Sequence, residues 1–178
     1  IAWQNGWLWM PWCEDFGPTG TEGWRGTLSV PRVVSLNGEN EVCLYPVSEL
    51  ASLEAETKQY CNYAVAAQKQ YLYPDDGKCY RMELWIDVEK IRSRYLEIGV
   101  LGEGDKATVA AVDLVQKVVS LDKNRGDLYG RGRMNCPIEI RDGKLKLLIL
   151  VDYSTVELYI DEGRYSITRN VNPEKRQT

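Results

Sequence analysis

The chain alternates apolar and polar positions with a period of two, and it shows little helical spacing. Between Cys79 and Asp87, Tyr80, Met82, Leu84 and Ile86 fall on one side, and Arg81, Glu83, Trp85 and Asp87 on the other. That is the pattern of a half-buried strand. The run Lys144 to Val151 repeats it, with Leu145, Leu147, Ile149 and Val151 sharing a face. Further short strands are predicted over 27–30 and 33–36 on either side of Pro31, and over 41–45, 95–101, 107–112, 117–121, 155–160 and 165–169. Turn chemistry separates them at Asn37-Gly38, Gly102-Glu103-Gly104-Asp105, Asp142-Gly143, Tyr153-Ser154 and Asp161-Glu162-Gly163. Pro31 has no N–H to give to a ladder, so it belongs at an edge or bend. Residues 46–50 read as a short helical turn with Pro46 near its start. Many short strands with hardly any helix predict an all-β protein, an antiparallel β-sandwich or barrel. The polar tail 172–178 is expected to fray.

The opening segment is different. Trp3, Trp7, Trp9, Trp12 and Trp24, five of the six tryptophans, lie before Gly26. One strand over 1–10 is predicted there, followed by a long connector through Asp15-Phe16-Gly17-Pro18 and Gly20 to Gly23. A lone strand leaves its backbone groups without partners. Its sheet therefore lies either in the following domain or in sequence outside these residues. Trp7 and Trp9 share one strand face. They either fill a core or domain interface, or offer flat apolar rings on which sugars stack.

Composition narrows the classes. A length of 178 residues suits one domain, or one domain plus a piece of another. The net charge of −4 argues against nucleic acid as a partner, because phosphates demand clustered Lys and Arg. No apolar run reaches membrane-span length, so no membrane is expected. Cys13, Cys43, Cys61, Cys79 and Cys136 are odd in number and widely spaced, with no C-x-x-C pair and no histidine in the chain. Buried free thiols in a reducing compartment are expected, with no zinc site and no cofactor. This favours a cytoplasmic protein. Secretion stays open, because the chain opens on Ile1 without showing its true N-terminus.

The absence of histidine removes Ser-His-Asp and Cys-His catalysis. Asp15-Phe16-Gly17 spells a kinase magnesium motif by chance, since the glycine loop, lysine strand and catalytic loop are missing. No helical pattern follows Gly130-Arg131-Gly132, so it is not a phosphate loop. The candidates for a carboxylate pair are Asp75, Asp76, Asp152, Glu157, Asp161 and Glu162. Asp75, Asp76, Asp161 and Glu162 are ordinary turn acids. Glu157 lies on the polar side of an alternating strand. Solvated surface is expected for each.

Three motifs in order carry a resemblance. Gly6-Trp7, then Gly23-Trp24-Arg25-Gly26-Thr27-Leu28-Ser29-Val30-Pro31-Arg32, resembles a junction of glycoside hydrolase family 32, which holds the invertases, sucrose-6-phosphate hydrolases, levanases and inulinases. Pro46-Val47-Ser48-Glu49-Leu50 is similar to that family's Pro-Val-x-Glu-Leu segment. The run Val151-Asp152-Tyr153-Ser154-Thr155-Val156-Glu157 through Gly163 is similar to its Val-Asp-x-Ser-x-Val-Glu hairpin, and Leu121-Asp122-Lys123 to the strand end before it.

The resemblance implies a five-bladed β-propeller carrying the active site, followed by a β-sandwich. On that basis 1–26 is the remnant of the last propeller blade plus linker, 27–171 the C-terminal sandwich and 172–178 a tail. The family's Asn-Asp-Pro nucleophile, Arg-Asp-Pro and Glu-Cys acid/base motifs do not occur in these residues. A piece of a longer enzyme is therefore expected, with no catalytic residue of its own. Trp9 or Trp12 is implied as a substrate contact at the pocket rim of the intact enzyme. The implied partners are the chain's own N-terminal propeller, sucrose or a fructan through the intact enzyme, and a second copy in a homo-oligomer. Family members run one or two strands beyond the Gly163 hairpin, whereas only 165–169 is available here, so an open sheet edge is expected. Two other readings stand beside this one: an independent carbohydrate-binding sandwich module, and an interaction domain of an unrelated sandwich family. Titration with sucrose, inulin and levan separates module from scaffold.

Overall fold

The computed structural model describes residues 2–3, 6–13, 26–68, 70–72, 79–103, 105–128 and 132–173. The tryptophan-rich segment forms three short strands where one was expected: β1 (Ala2–Trp3), β2 (Gly6–Trp9) and β3 (Trp12–Cys13). Pro11 sits between β2 and β3, and its missing N–H ends the ladder there. The following strands are β4 (Thr27–Leu28), β5 (Arg32–Leu36) and β6 (Val42–Pro46). β1 pairs with β2, β2 with β5 and β5 with β6, giving a four-stranded antiparallel sheet, while β3 and β4 pair apart from it. Residues 32–46, expected inside the sandwich, thus share a sheet with the N-terminal strand. The physical reason is the one that made a lone strand untenable: β2 needs a ladder partner, and β5 supplies it through Trp7↔Val34, Leu8↔Val33 and Trp9↔Arg32.

The β5–β6 hairpin turns where Asn37-Gly38 predicted. Asn37, however, does the work. Its side-chain oxygen accepts the N–H groups of Glu39 and Glu41, each at 2.9 Å, and the left-handed residue is Asn40 at φ 62°. The predicted helical turn is a 3-10 helix over Ser48–Leu53.

The sandwich begins at β7 (Tyr80–Asp87) and continues through β8 (Tyr95–Glu103), β9 (Lys106–Asp113), β10 (Val118–Asp122), β11 (Arg133–Pro137), β12 (Lys144–Val151), β13 (Thr155–Ile160) and β14 (Tyr165–Asn170). One sheet runs β11-β10-β9-β8 and the other β14-β13-β12-β7, with every neighbouring pair antiparallel. The core lies between them. Val100, Ala110, Val112, Val119 and Leu121 come from the first sheet, and Leu145, Leu147, Ile149, Val151, Val156, Leu158, Ile160 and Ile167 from the second. Tyr80, Met82, Leu84 and Ile86 pack on this core as their alternation required, and Trp85 on the opposite side stays exposed. Full burial of each such Leu or Ile contributes roughly 1.5–3 kcal/mol. β11 carries no alternation in its sequence, and its Arg133, Met134 and Asn135 are all exposed.

The turn after β9 is closed by Asp113. Its carboxylate accepts the Arg94 guanidinium at 2.8 Å and the N–H groups of Gln116 and Val115 at 2.9 and 3.0 Å. The Arg94 hydrogen bond first, then these backbone donors, lower its pKa from 3.8 to about 2 despite burial. A depressed carboxylate stabilises the fold fully above its ordinary pKa, and the contribution is lost as pH falls through the folded one. D113N is therefore expected to flatten the acid limb of the unfolding curve between pH 4 and 2, where the parent chain loses stability. Thermal melts across that range check it, and an unchanged acid limb would contradict it.

All five cysteines are free thiols. Only Cys43 is buried as expected, while Cys61 and Cys79 are exposed. No helix among the described residues is long and apolar enough to cross a membrane.

Candidate functional site

β13 alternates, but both of its faces are covered. Val156, Leu158 and Ile160 point into the core, and Thr155, Glu157 and Tyr159 on the other side are buried as well. The cover is the segment leading into β5. Glu157, expected on solvated surface, is 2% exposed, and Arg32 is 3% exposed. The Arg32 guanidinium donates to one Glu157 oxygen at 2.8 Å, and the Val30 N–H donates to the other at 2.8 Å. The Tyr159 hydroxyl donates to Glu157 at 2.5 Å. Arg32 also donates to the Thr168 hydroxyl. Alternation along β13 alone could not reveal this, because it reports which side faces the core and not whether something else covers the other side.

Aromatic rings flank the pair. The Arg32 guanidinium lies 4.9 Å from the Tyr159 ring centroid and 5.8 Å from that of Trp9. Tyr45 from β6 meets Tyr159 edge-on at 5.9 Å. Burial, followed by the Glu157 charge, pushes the Tyr159 hydroxyl far above its ordinary value, so it remains a donor.

Hydrogen bonds from Leu44 to Gly163 and from Asn170 to Cys13 join the N-terminal strands to the sandwich, and neighbouring contacts within each part brace them. The Leu44 N–H donates to the Gly163 carbonyl at 2.9 Å and the Ser29 N–H to the Pro11 carbonyl at 3.0 Å. The Asn170 side chain donates to the Cys13 carbonyl at 2.6 Å. The buried Lys123 ammonium donates to the Asn170 carbonyl at 2.8 Å and pairs with Asp127 at 3.1 Å. Pro31-Arg32, Lys123, Glu157 and Gly163, all carriers of the family resemblance, thus converge on one seam. Arg32 and Tyr159 anchor the seam, and no motif by itself assigns either that place. The only signal for Arg32 was its place in Pro31-Arg32.

Trp9 lies beside this seam. Trp7 is 65%, Trp9 46% and Trp12 60% exposed. Trp9 holds its place opposite Arg32 across the ladder. Trp12 stands over Gly26, where a Cβ would come within 2.6 Å of its ring. Met10 and Leu28 extend the exposed apolar surface. Trp24, Asp15-Phe16-Gly17, Gly104, Gly130-Arg131, Asp75 and Asp76 lie outside the described residues.

The other acids are engaged locally. Asp152 accepts the Cys79 thiol at 2.9 Å, and burial first, then this contact, pushes that thiol up to about 11. Asp161 accepts the Lys146 N–H at 3.2 Å, and Glu162 pairs with the Lys146 ammonium at 3.0 Å. Among the described residues no group of three or more His, Cys, Asp or Glu could hold a metal ion.

Two packed antiparallel sheets, one of them joined to a tryptophan-bearing sheet, define a β-sandwich class. The family model described as "Glycosyl hydrolases family 32 C terminal" matches residues 49–178, and the chain belongs to glycoside hydrolase family 32. It is 28% identical over 182 residues to a sucrose-6-phosphate hydrolase of Zymomonas mobilis subsp. mobilis, covering 98% of this chain and 33% of that protein. It is 24% identical over 181 residues to a levanase of Bacillus subtilis, covering 94% and 27%. Among solved structures, exo-inulinase from Aspergillus awamori superposes with a TM-score of 0.75 at 18% identity, over 96% of this chain and 35% of that one. Sucrose-6-phosphate hydrolase from Lactobacillus gasseri gives the same TM-score of 0.75 at 17% identity. The chain spans about a third of the length of the first curated relatives it matches.

Proposed function

We propose that this chain is the C-terminal part of a β-fructofuranosidase-type glycosidase that hydrolyses sucrose, sucrose 6-phosphate or a fructan. The observation that carries this reading is the family match over residues 49–178, together with relatives named sucrose-6-phosphate hydrolase and levanase. Within the enzyme the role of these residues is structural. The sheet of β1, β2, β5 and β6 closes a propeller that precedes it, and the sandwich from Tyr80 braces that sheet. On this reading the boundary between the two parts lies in the segment 47–79, which the pairing of β5 and β6 with β2 supports. Exposed Trp7, Trp9, Trp12, Met10 and Leu28 form the docking face, because an apolar patch of that kind favours association. Trp9 or Trp12 reaches the sugar pocket at its rim.

The exposed indoles favour a second reading, an independent carbohydrate-binding module. One experiment on the purified chain separates the two. The scaffold reading expects no hydrolysis of sucrose or levan, no fluorescence response to sucrose, inulin or levan, and sedimentation as a dimer or larger that shifts toward monomer when residues 1–12 are deleted. Saturable quenching by a fructan would favour the module. Turnover that falls on mutating a carboxylate of this chain would overturn the scaffold.

A further inference from the structure

We propose that Arg32 and Glu157 are positioning residues through which the sandwich sets the orientation of Trp9 for sugar binding, an inference that rests on Trp9 being a sugar contact of the intact enzyme. The placement of the three side chains carries it. Trp9 faces Arg32 directly across the β2–β5 ladder, and its ring centroid lies 5.8 Å from the guanidinium. Arg32 is itself 3% exposed and is fixed from three directions: by Glu157 at 2.8 Å, by the Thr168 hydroxyl and by the Tyr159 ring at 4.9 Å. Glu157 in turn is fixed by the Val30 N–H at 2.8 Å and the Tyr159 hydroxyl at 2.5 Å. The guanidinium is planar, and its carboxylate contact constrains the plane it presents to a neighbouring ring.

Trp9 is 46% exposed, so β2 leaves one side of the indole open. Its orientation therefore depends on its neighbours on the covered side, and Arg32, its cross-strand partner 5.8 Å from the ring centroid, is one of them. Sandwich residue Glu157 thereby acts on an aromatic platform that it does not touch. A ring held in one orientation stacks on a sugar without losing rotamer freedom on binding, so loss of the hold raises KM and leaves kcat largely unchanged.

A double-mutant cycle in the full-length enzyme tests this, with sucrose, sucrose 6-phosphate and levan as substrates. W9A is expected to raise KM roughly tenfold for the substrate turned over. E157Q, which keeps the side-chain shape, is expected to raise KM roughly threefold to tenfold in the parent, and less than about twofold in the W9A background. Y159F and T168V serve as milder variants if E157Q does not accumulate as folded protein. Each is expected to raise KM by a smaller factor that also vanishes with W9A. Equal effects of E157Q with and without Trp9, or a fall in kcat alone, would overturn the positioning role while leaving Trp9 as a sugar contact. An unchanged KM in W9A would overturn both.

Discussion

Replacing Glu157 with alanine is expected to destabilise the chain by about 3–5 kcal/mol, the cost of breaking a buried ion pair from one side. The carboxylate receives Arg32, Val30 and Tyr159 at 2.8, 2.8 and 2.5 Å. Its removal leaves a guanidinium that is 3% exposed without its counter-charge, and two further donors without an acceptor. At roughly 2–4 °C per kcal/mol for a chain of this size, the melting temperature is expected to fall by about 6–20 °C. The pair itself is a weaker contributor than this number suggests, because each charge also loses its hydration. The double variant R32M/E157L should therefore recover most of the loss. Urea unfolding of the single and double variants measures both effects. A loss below about 1 kcal/mol for Glu157→Ala, the value of an exposed pair, would contradict the buried clamp.

Gly163→Ala is expected to cost about 2–4 kcal/mol, for two reasons that add at one atom. Gly163 has φ 86°, where an L side chain is strained. A Cβ there would also lie 2.3 Å from the Leu44 carbonyl oxygen and 2.6 Å from its carbon. β6 has to retreat, and the 2.9 Å bond from the Leu44 N–H to the Gly163 carbonyl is lost with it. Gly38 is the control, since no atom lies within 4 Å of its added Cβ and its φ is not in the left-handed region. Gly38→Ala is expected to be neutral or to stabilise by up to about 1 kcal/mol. Equal melting temperatures for the two variants would refute the close approach at Gly163.

The outcome at Gly163 also shows how much of the seam was legible. Its sequence context marks a turn, and Asp161, Glu162 and Gly163 all have positive φ as such a turn demands. Nothing in the local sequence says that the turn lies against Leu44, more than a hundred positions earlier. Glu157 carries the same lesson. Its alternation with Val156 and Leu158 gave its facing correctly, away from the core. Burial of that face depends on Val30 and Arg32, which reach it only because β2 captures β5 into its sheet. The pairing of 32–46 with β2 lies in the same gap. The strands β5 and β6 were readable, but a ladder partner is chosen by the whole chain.

By itself the sequence determined the local terms. Period-two alternation set β7 and β12 and chose the residues of their core faces, because side chains on a pleated strand point to opposite sides whatever its neighbours. Asn37, Asp142-Gly143 and Asp161-Glu162-Gly163 set the turns, because backbone dihedral preferences belong to the residue. Three motifs in order set the family. Only the tertiary structure decided which strands share a sheet, and that Glu157 is an anchor of the seam where solvated surface was expected. It also split the opening segment into three strands and left Trp7, Trp9 and Trp12 exposed, with Trp9 opposite a buried Arg32. Such features arise from contacts between residues far apart in the chain. Their energy depends on distance and burial in three dimensions, and a pattern read along one dimension carries neither.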